Sequence, residues 1–236
     1  MKKLLYFIPV CIVLYSFANP QPQKVSKQAS KPKVDTTYEV LMKTSMGDIT
    51  LKLYNETPKH RDNFVALVKK NFFDSLLFHR VINNFMIQGG DPNSKNAQPG
   101  VMLGDGDAGY TVPAEFNPKL IHKKGALAAA RNDNPEKASS GCQFYIVQGK
   151  KTDSTMLRKI EQRTGWHYTQ EQVNTYQTQG GTPFLDNGYT VYGETIAGLD
   201  VVDKIAAVAG DGSNRPTENV YILSTKLIIK TSKVKQ

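Results

Sequence analysis

The chain has 236 residues, with 30 Lys and Arg against 21 Asp and Glu and a formal charge of +9. That length supports one core-forming domain with tails, and two cysteines are too few for a disulfide-stapled scaffold. Much of the basic excess lies at the ends, in Lys24, Lys27, Lys31 and Lys33 and again in Lys226, Lys230, Lys233 and Lys235, with no aromatics interleaved. Nucleic acid is therefore not an expected partner, and weak attraction to an anionic membrane surface is the residual reading of the charge.

Lys2 and Lys3 precede an apolar run from Leu4 to Tyr15, and Ser16-Phe17-Ala18 supplies small residues at a cleavage position. This is the pattern of a secretory signal peptide over residues 1–18. Its apolar run is short of the ~20 residues of a membrane-spanning helix. Cleavage would lower the charge from +9 to +7 and leave Cys142 as the one cysteine, read as a small buried side chain rather than a reactive thiol. Export to the periplasm or cell envelope of a Gram-negative bacterium follows as an expectation. Residues 19–36, rich in Pro, Gln, Lys and Ser, read as a flexible linker, so the domain is expected over residues 37–232.

Tyr38 to Thr44 and Asp48 to Tyr54 form a hairpin around Met46-Gly47, with Ile49, Leu51 and Leu53 on one face. Thr57-Pro58 starts a helix, Thr57 as its cap, and Phe64, Leu67 and Val68 fall on its packed face. Phe78 to Ile82 and Phe85 to Gln88 are two short strands around the turn dipeptide Asn83-Asn84. Alternation places Arg80 beside Phe78 and Ile82, and Met86 beside Gln88. A guanidinium among apolar side chains is costly to desolvate, so it needs a partner or a task. Pro92 to Lys124 is a long loop. Its Gly104-Asp105-Gly106-Asp107-Ala108-Gly109 matches the dinucleotide-binding glycine pattern only in form, since no strand precedes it and no amphipathic helix follows. It reads as a surface loop. Gly125 to Ala130 is a strand of small residues, and Gln143 to Val147 is another. Ser154 to Thr164 and Thr169 to Gln179 are polar helices resting on the domain. Tyr189 to Glu194 is a strand, Leu199 to Val208 an amphipathic helix and Val220 to Ile229 a closing strand. Many short strands, two well-formed helices and long Gly-rich loops suggest a mainly antiparallel β-barrel.

Four segments taken together resemble the cyclophilin-type peptidyl-prolyl cis-trans isomerases: Phe78-His79-Arg80, Phe85-Met86-Ile87-Gln88-Gly89-Gly90-Asp91, Ser140-Gly141-Cys142-Gln143-Phe144-Tyr145, and Phe184-Leu185-Asp186 through Tyr192-Gly193-Glu194. The resemblance spans roughly residues 38 to 230. It implies a mainly β fold, a closed eight-stranded antiparallel barrel capped by two α-helices, with residues 150–181 as an extra helical insert similar to that of exported Bacteroidetes-type members. It also implies prolyl isomerase activity, with Arg80 and Gln88 as catalytic residues. Substrate-binding roles fall on Phe85, Met86, Ala130, Arg131, Gln143, Tyr145, Phe184, Leu185 and Tyr189. Tyr145 stands where Phe is usual, Ala129 where Met is common, Cys142 where Ser is common, Tyr189 where many members have His, and Phe184 where many have Trp, which makes tight cyclosporin binding unexpected. Rotation about an X-Pro bond makes and breaks no covalent bond, so no nucleophile, metal or cofactor is called for. Expected partners are proline-containing unfolded or partly folded envelope proteins, met by a monomer. The alternative is a module that only grips proline-containing segments, which would have no use for Arg80.

Overall fold

The computed structural model describes residues 34–233. The expected signal peptide and most of the expected linker lie outside them. The strand that opens the domain begins at Val34, three residues before the expected boundary. The strands are β1 (Val34–Thr44), β2 (Gly47–Leu53), β3 (Phe78–Ile82), β4 (Met86–Gly89), β5 (Thr111–Val112), β6 (Ala126–Ala129), β7 (Ser139–Ser140), β8 (Phe144–Val147), β9 (Val191–Ala197) and β10 (Ile222–Lys233). The α-helices are α1 (Pro58–Lys69), α2 (Ser154–Thr164), α3 (Gln170–Thr178) and α4 (Leu199–Ala206).

Eight strands make one antiparallel sheet in the order β10-β1-β2-β9-β6-β8-β4-β3, and β5 pairs with β7 apart from it. The expected closed barrel is instead an open, curled sheet. β3 and β10 stand at its two ends without forming a ladder. Only their flanks meet, through the Leu77–Tyr221 bridge and the bonds from Phe78 N to Val220 O at 2.9 Å and from Ile222 N to Leu76 O at 2.8 Å. Further along β3, Val81 N donates to Asn214 O at 2.8 Å, so the loop before β10 covers that edge and keeps β10 from it.

Period-two alternation sorts the small strands between two apolar clusters. Leu127, Ala129, Phe144 and Ile146 turn into the main core with Val40, Met42, Ile49 and Leu51. Ala126, Ala128, Tyr145 and Val147 turn to the opposite face with Met86 and Val191. Both faces of β6 and β8 are therefore buried, and the second cluster is the floor on which the site stands. Helix α1 lies on β9 and β10 and α4 on β2, β3 and β4, burying Phe64, Leu67 and Val68 as the spacing predicts. Thr57 precedes α1, but its side chain caps nothing. The Glu115 carboxylate takes the first amides instead, Lys59 N at 3.0 Å and His60 N at 2.9 Å. An acceptor 55 residues downstream outcompetes the local cap, and no local pattern could show that. Helices α2 and α3 form the insert and share a small third cluster of Leu157, Tyr176 and Ile121.

Candidate active site

The site grows from the β3–β4 hairpin. Asn84 takes a left-handed φ of 61° at its turn, a conformation Asn tolerates better than most residues. Register pairs Arg80 with Gln88 and Ile82 with Met86, but slips between Phe78 and Arg80. This irregularity breaks the alternation expected along β3. Phe78 enters the main core, whereas Arg80 lines a cleft of about 330 Å³ on the opposite face. Bulges re-aim side chains in this way.

Nine of the eleven expected site residues line that cleft: Arg80, Phe85, Met86, Gln88, Ala130, Arg131, Tyr145, Leu185 and Tyr189. The floor is set by register, since Tyr145 pairs with Gln88 on one side and with Ala128 on the other. The remaining two stand elsewhere. Gln143 lies beside the cleft, under an adjoining cavity. Phe184 is exposed and turns away from the cleft to pack on Phe85, centroids 5.6 Å apart. Successive residues of the 3₁₀ turn Pro183–Leu185 thus serve different surfaces.

A chain of side chains leads into the cleft. Arg80 Nη1 donates to Gln88 Oε1 at 3.3 Å. Gln88 Nε2 donates to Gln143 Oε1 at 3.0 Å. Gln143 Nε2 then donates to the carbonyls of Gly104 and Gly106, each at 2.7 Å. Each amide spends its oxygen and its nitrogen in one direction, which fixes the orientation of the next group. Arg80 has no other protein acceptor among the described residues, so the rest of its donors face the cleft. Across from it, Arg131 Nε holds Gly188 O at 3.0 Å and its guanidinium sits 4.7 Å from the centroid of the Tyr189 ring.

The glycine-rich loop read as a plain surface loop is a wall of the site. The fully buried Asp91 binds it, accepting from Gly104 N at 2.5 Å. A Cβ at position 106 would lie 2.0 Å from Asp91 Oδ1, so only glycine lets the loop come this close. Beneath the loop lies His79. Burial drives its pKa down to about 4, and neither ring nitrogen has a partner among the described residues. Arg215, also buried, reaches the cleft wall through the Val101 carbonyl and was not singled out by the sequence.

The hydroxyl of Tyr145 has a buried partner. His122 Nε2 meets it at 2.9 Å. His122 Nδ1 meets Asp186 Oδ1 at 2.7 Å, and the other oxygen of Asp186 accepts from Tyr176 Oη at 2.5 Å. Burial above all, with Tyr189 and Asp186 close by, pushes the Tyr145 pKa far up, so it stays a neutral donor or acceptor. Sequence reasoning missed His122 and Tyr176. The Asp186 that follows Leu185 was the one available signal. Cys142 is buried as expected, and burial pushes its thiol up to about 11, which leaves it unreactive near neutrality.

The family model for cyclophilin type peptidyl-prolyl cis-trans isomerase/CLD matches residues 39–227. A Staphylococcus epidermidis protein named "Putative peptidyl-prolyl cis-trans isomerase" is 37% identical over 198 residues, covering 84% of this chain and 95% of its own. A Staphylococcus aureus protein of the same name is 38% identical over 187 residues, covering 79% and 89%. Among solved structures, a cyclophilin type peptidyl-prolyl cis-trans isomerase of Cryptosporidium parvum superposes with a TM-score of 0.60 at 22% identity, over 81% of this chain and 98% of that one. It shares the fold. The relatives give no support to a Bacteroidetes-type affinity. They also overturn the expected location, because Staphylococcus is Gram-positive and has no periplasm.

Proposed function

The chain belongs to the cyclophilin-type peptidyl-prolyl cis-trans isomerases, and from that premise we propose that Arg80 is the donor that lowers the barrier to X-Pro rotation. The barrier is ~18–20 kcal/mol because rotation breaks C–N resonance, and the uncatalysed step takes tens to hundreds of seconds. At mid-rotation the imide nitrogen becomes pyramidal and recovers its lone pair. A donor aimed there binds the transition state more tightly than either planar ground state, which is the condition for catalysis.

Arg80 suits this task by its permanent charge and planar fork. Gln88 and Gln143 hold that fork from behind. Phe85, Met86, Tyr145 and Leu185 seat the pyrrolidine ring, so rotation moves the residue before it. The backbone at Ala130 and Arg131 anchors the flanking peptide, and binding energy is spent on orientation. No proton moves and no covalent intermediate forms. Substrates are proline-containing unfolded or partly folded proteins. The observation carrying this reading is a guanidinium with a single protein acceptor among the described residues, facing a cleft floored by apolar side chains.

The test is an NMR titration with a short Ala-Pro peptide, combined with exchange spectroscopy of its two isomers. Resonances of Phe85, Met86, Tyr145 and Leu185 should shift, and exchange should quicken. A peptide with Ala in place of Pro should do neither. Equal shifts with both peptides would overturn the assignment of the proline seat.

A further inference from the structure

Beside the cleft lies a second groove, of about 510 Å³, that the isomerase site does not use. Its apolar floor is Met156 and Ile160 of α2 with Pro183 and Phe184 of the turn. Met156 is 50% and Phe184 48% exposed, high values for large apolar side chains. Lys150, Lys159 and Arg163 ring the groove, and among the described residues no carboxylate lines it. None of the three cations makes an ion pair among the described residues. Phe85 lines both the groove and the cleft, so the two surfaces are continuous.

The groove is also held in place relative to the cleft. Tyr176 of α3 is bonded to Asp186, Asp186 to His122 and His122 to Tyr145 on the cleft floor. A peptide that enters the cleft therefore meets a ready-made neighbouring surface, and little ordering opposes its binding there.

We propose that the insert forms an auxiliary subsite for a segment of the same polypeptide substrate flanking the proline, and that it selects apolar and acidic residues. This rests on the isomerase reading of the cleft for its catalytic consequence. Apolar side chains would cover Met156, Ile160 and Phe184, and carboxylates would meet Lys150, Lys159 and Arg163. Exposed ion pairs are individually weak, so the preference arises from several contacts together and should amount to about five- to tenfold.

The test compares four Ala-Pro peptides in exchange spectroscopy. One has neutral Gly and Ser flanks. Two carry Phe, Leu and Glu, on the N-terminal or the C-terminal side, and one has Lys replacing every Glu. Wild type should show about five- to tenfold higher kcat/KM on an acidic–apolar peptide than on the neutral one, through a lower KM. The exposed double substitution Lys159→Glu with Arg163→Glu should erase that preference and leave turnover of the neutral peptide unchanged. Equal treatment of Glu and Lys flanks by wild type, or a preference that survives in the variant, would overturn the proposal. A proline-free acidic–apolar peptide separates the two readings. If it shifts the Met156 methyl resonance, the groove binds whether or not the chain turns over proline peptides. If it leaves that resonance unmoved, the groove fails even in an active isomerase.

Discussion

Tyr145→Phe removes one oxygen and keeps the ring that floors the cleft. Tyr145 is 5% exposed and His122 1%, so water does not readily replace the lost partner. His122 Nε2 would be left unsatisfied beside a carboxylate that still holds Nδ1. Leaving a buried polar group unpaired costs about 1–3 kcal/mol, equivalent to a melting temperature lower by about 3–10 °C in a domain of this size. Catalysis should change little, within about threefold, because the proline would touch the ring and not the hydroxyl. Urea unfolding measures the first quantity and isomer exchange the second. Adding Tyr176→Phe completes a double-mutant cycle, and the two losses should be non-additive because both act through Asp186 and His122. Unchanged stability would refute the value given to the buried chain. A collapse of exchange with stability intact would show that the hydroxyl itself acts on the substrate.

His79 is held neutral in the fold, with its pKa down at about 4 against 6.5 when unperturbed. The unfolded chain takes up the proton first as pH falls, so this contribution to stability is complete above pH 6.5 and is lost progressively toward pH 4. Between pH 7.5 and pH 5 the loss should be about 2 kcal/mol. His79→Leu should flatten that part of the profile in urea unfolding, and an identical slope in both proteins would contradict the assignment. Gly106→Ala places a carbon against Asp91 Oδ1 and should displace the loop that anchors Gln143. Since small misplacements near a site are costly, kcat/KM should fall by roughly tenfold or more with most of the stability retained. Wild-type turnover in that variant would show that the loop does not position the amide chain.

Local pattern carried the strands and helices well where burial follows a simple period. The β3–β4 hairpin, the buried face of α1 and both insert helices were legible because their apolar spacing or turn residues are determined nearby. What was not legible depends on partners distant in sequence. The β3 irregularity separates Phe78 from Arg80, and alternation cannot reveal a slip caused by the opposing strand. The cap of α1 comes from Glu115, far along the chain. The open edge of the sheet follows from the loop at Asn214 lying where β10 would have paired. The similarity of motifs pointed to Arg80, Gln88 and the apolar side chains that line one cleft with them. The orientation of Phe184 depends on the turn that leads out of the insert, and His122 and Tyr176 carry no motif at all. Their roles emerge only when the fold places them around Asp186.

The central claim is that Arg80 acts on the transition state. The direct measurement is peptide affinity and isomer exchange for wild type and Arg80→Ala, side by side, with Arg80→Lys as the charge-retaining control. Removing a donor of this kind typically costs about 10²–10³ in rate, so exchange should drop by that factor in Arg80→Ala while the peptide Kd moves by less than about fivefold. Arg80→Lys should recover only part of the loss, because a point charge on a flexible stem replaces a held fork. Exchange that survives in Arg80→Ala, or that falls only in step with affinity, would contradict the account.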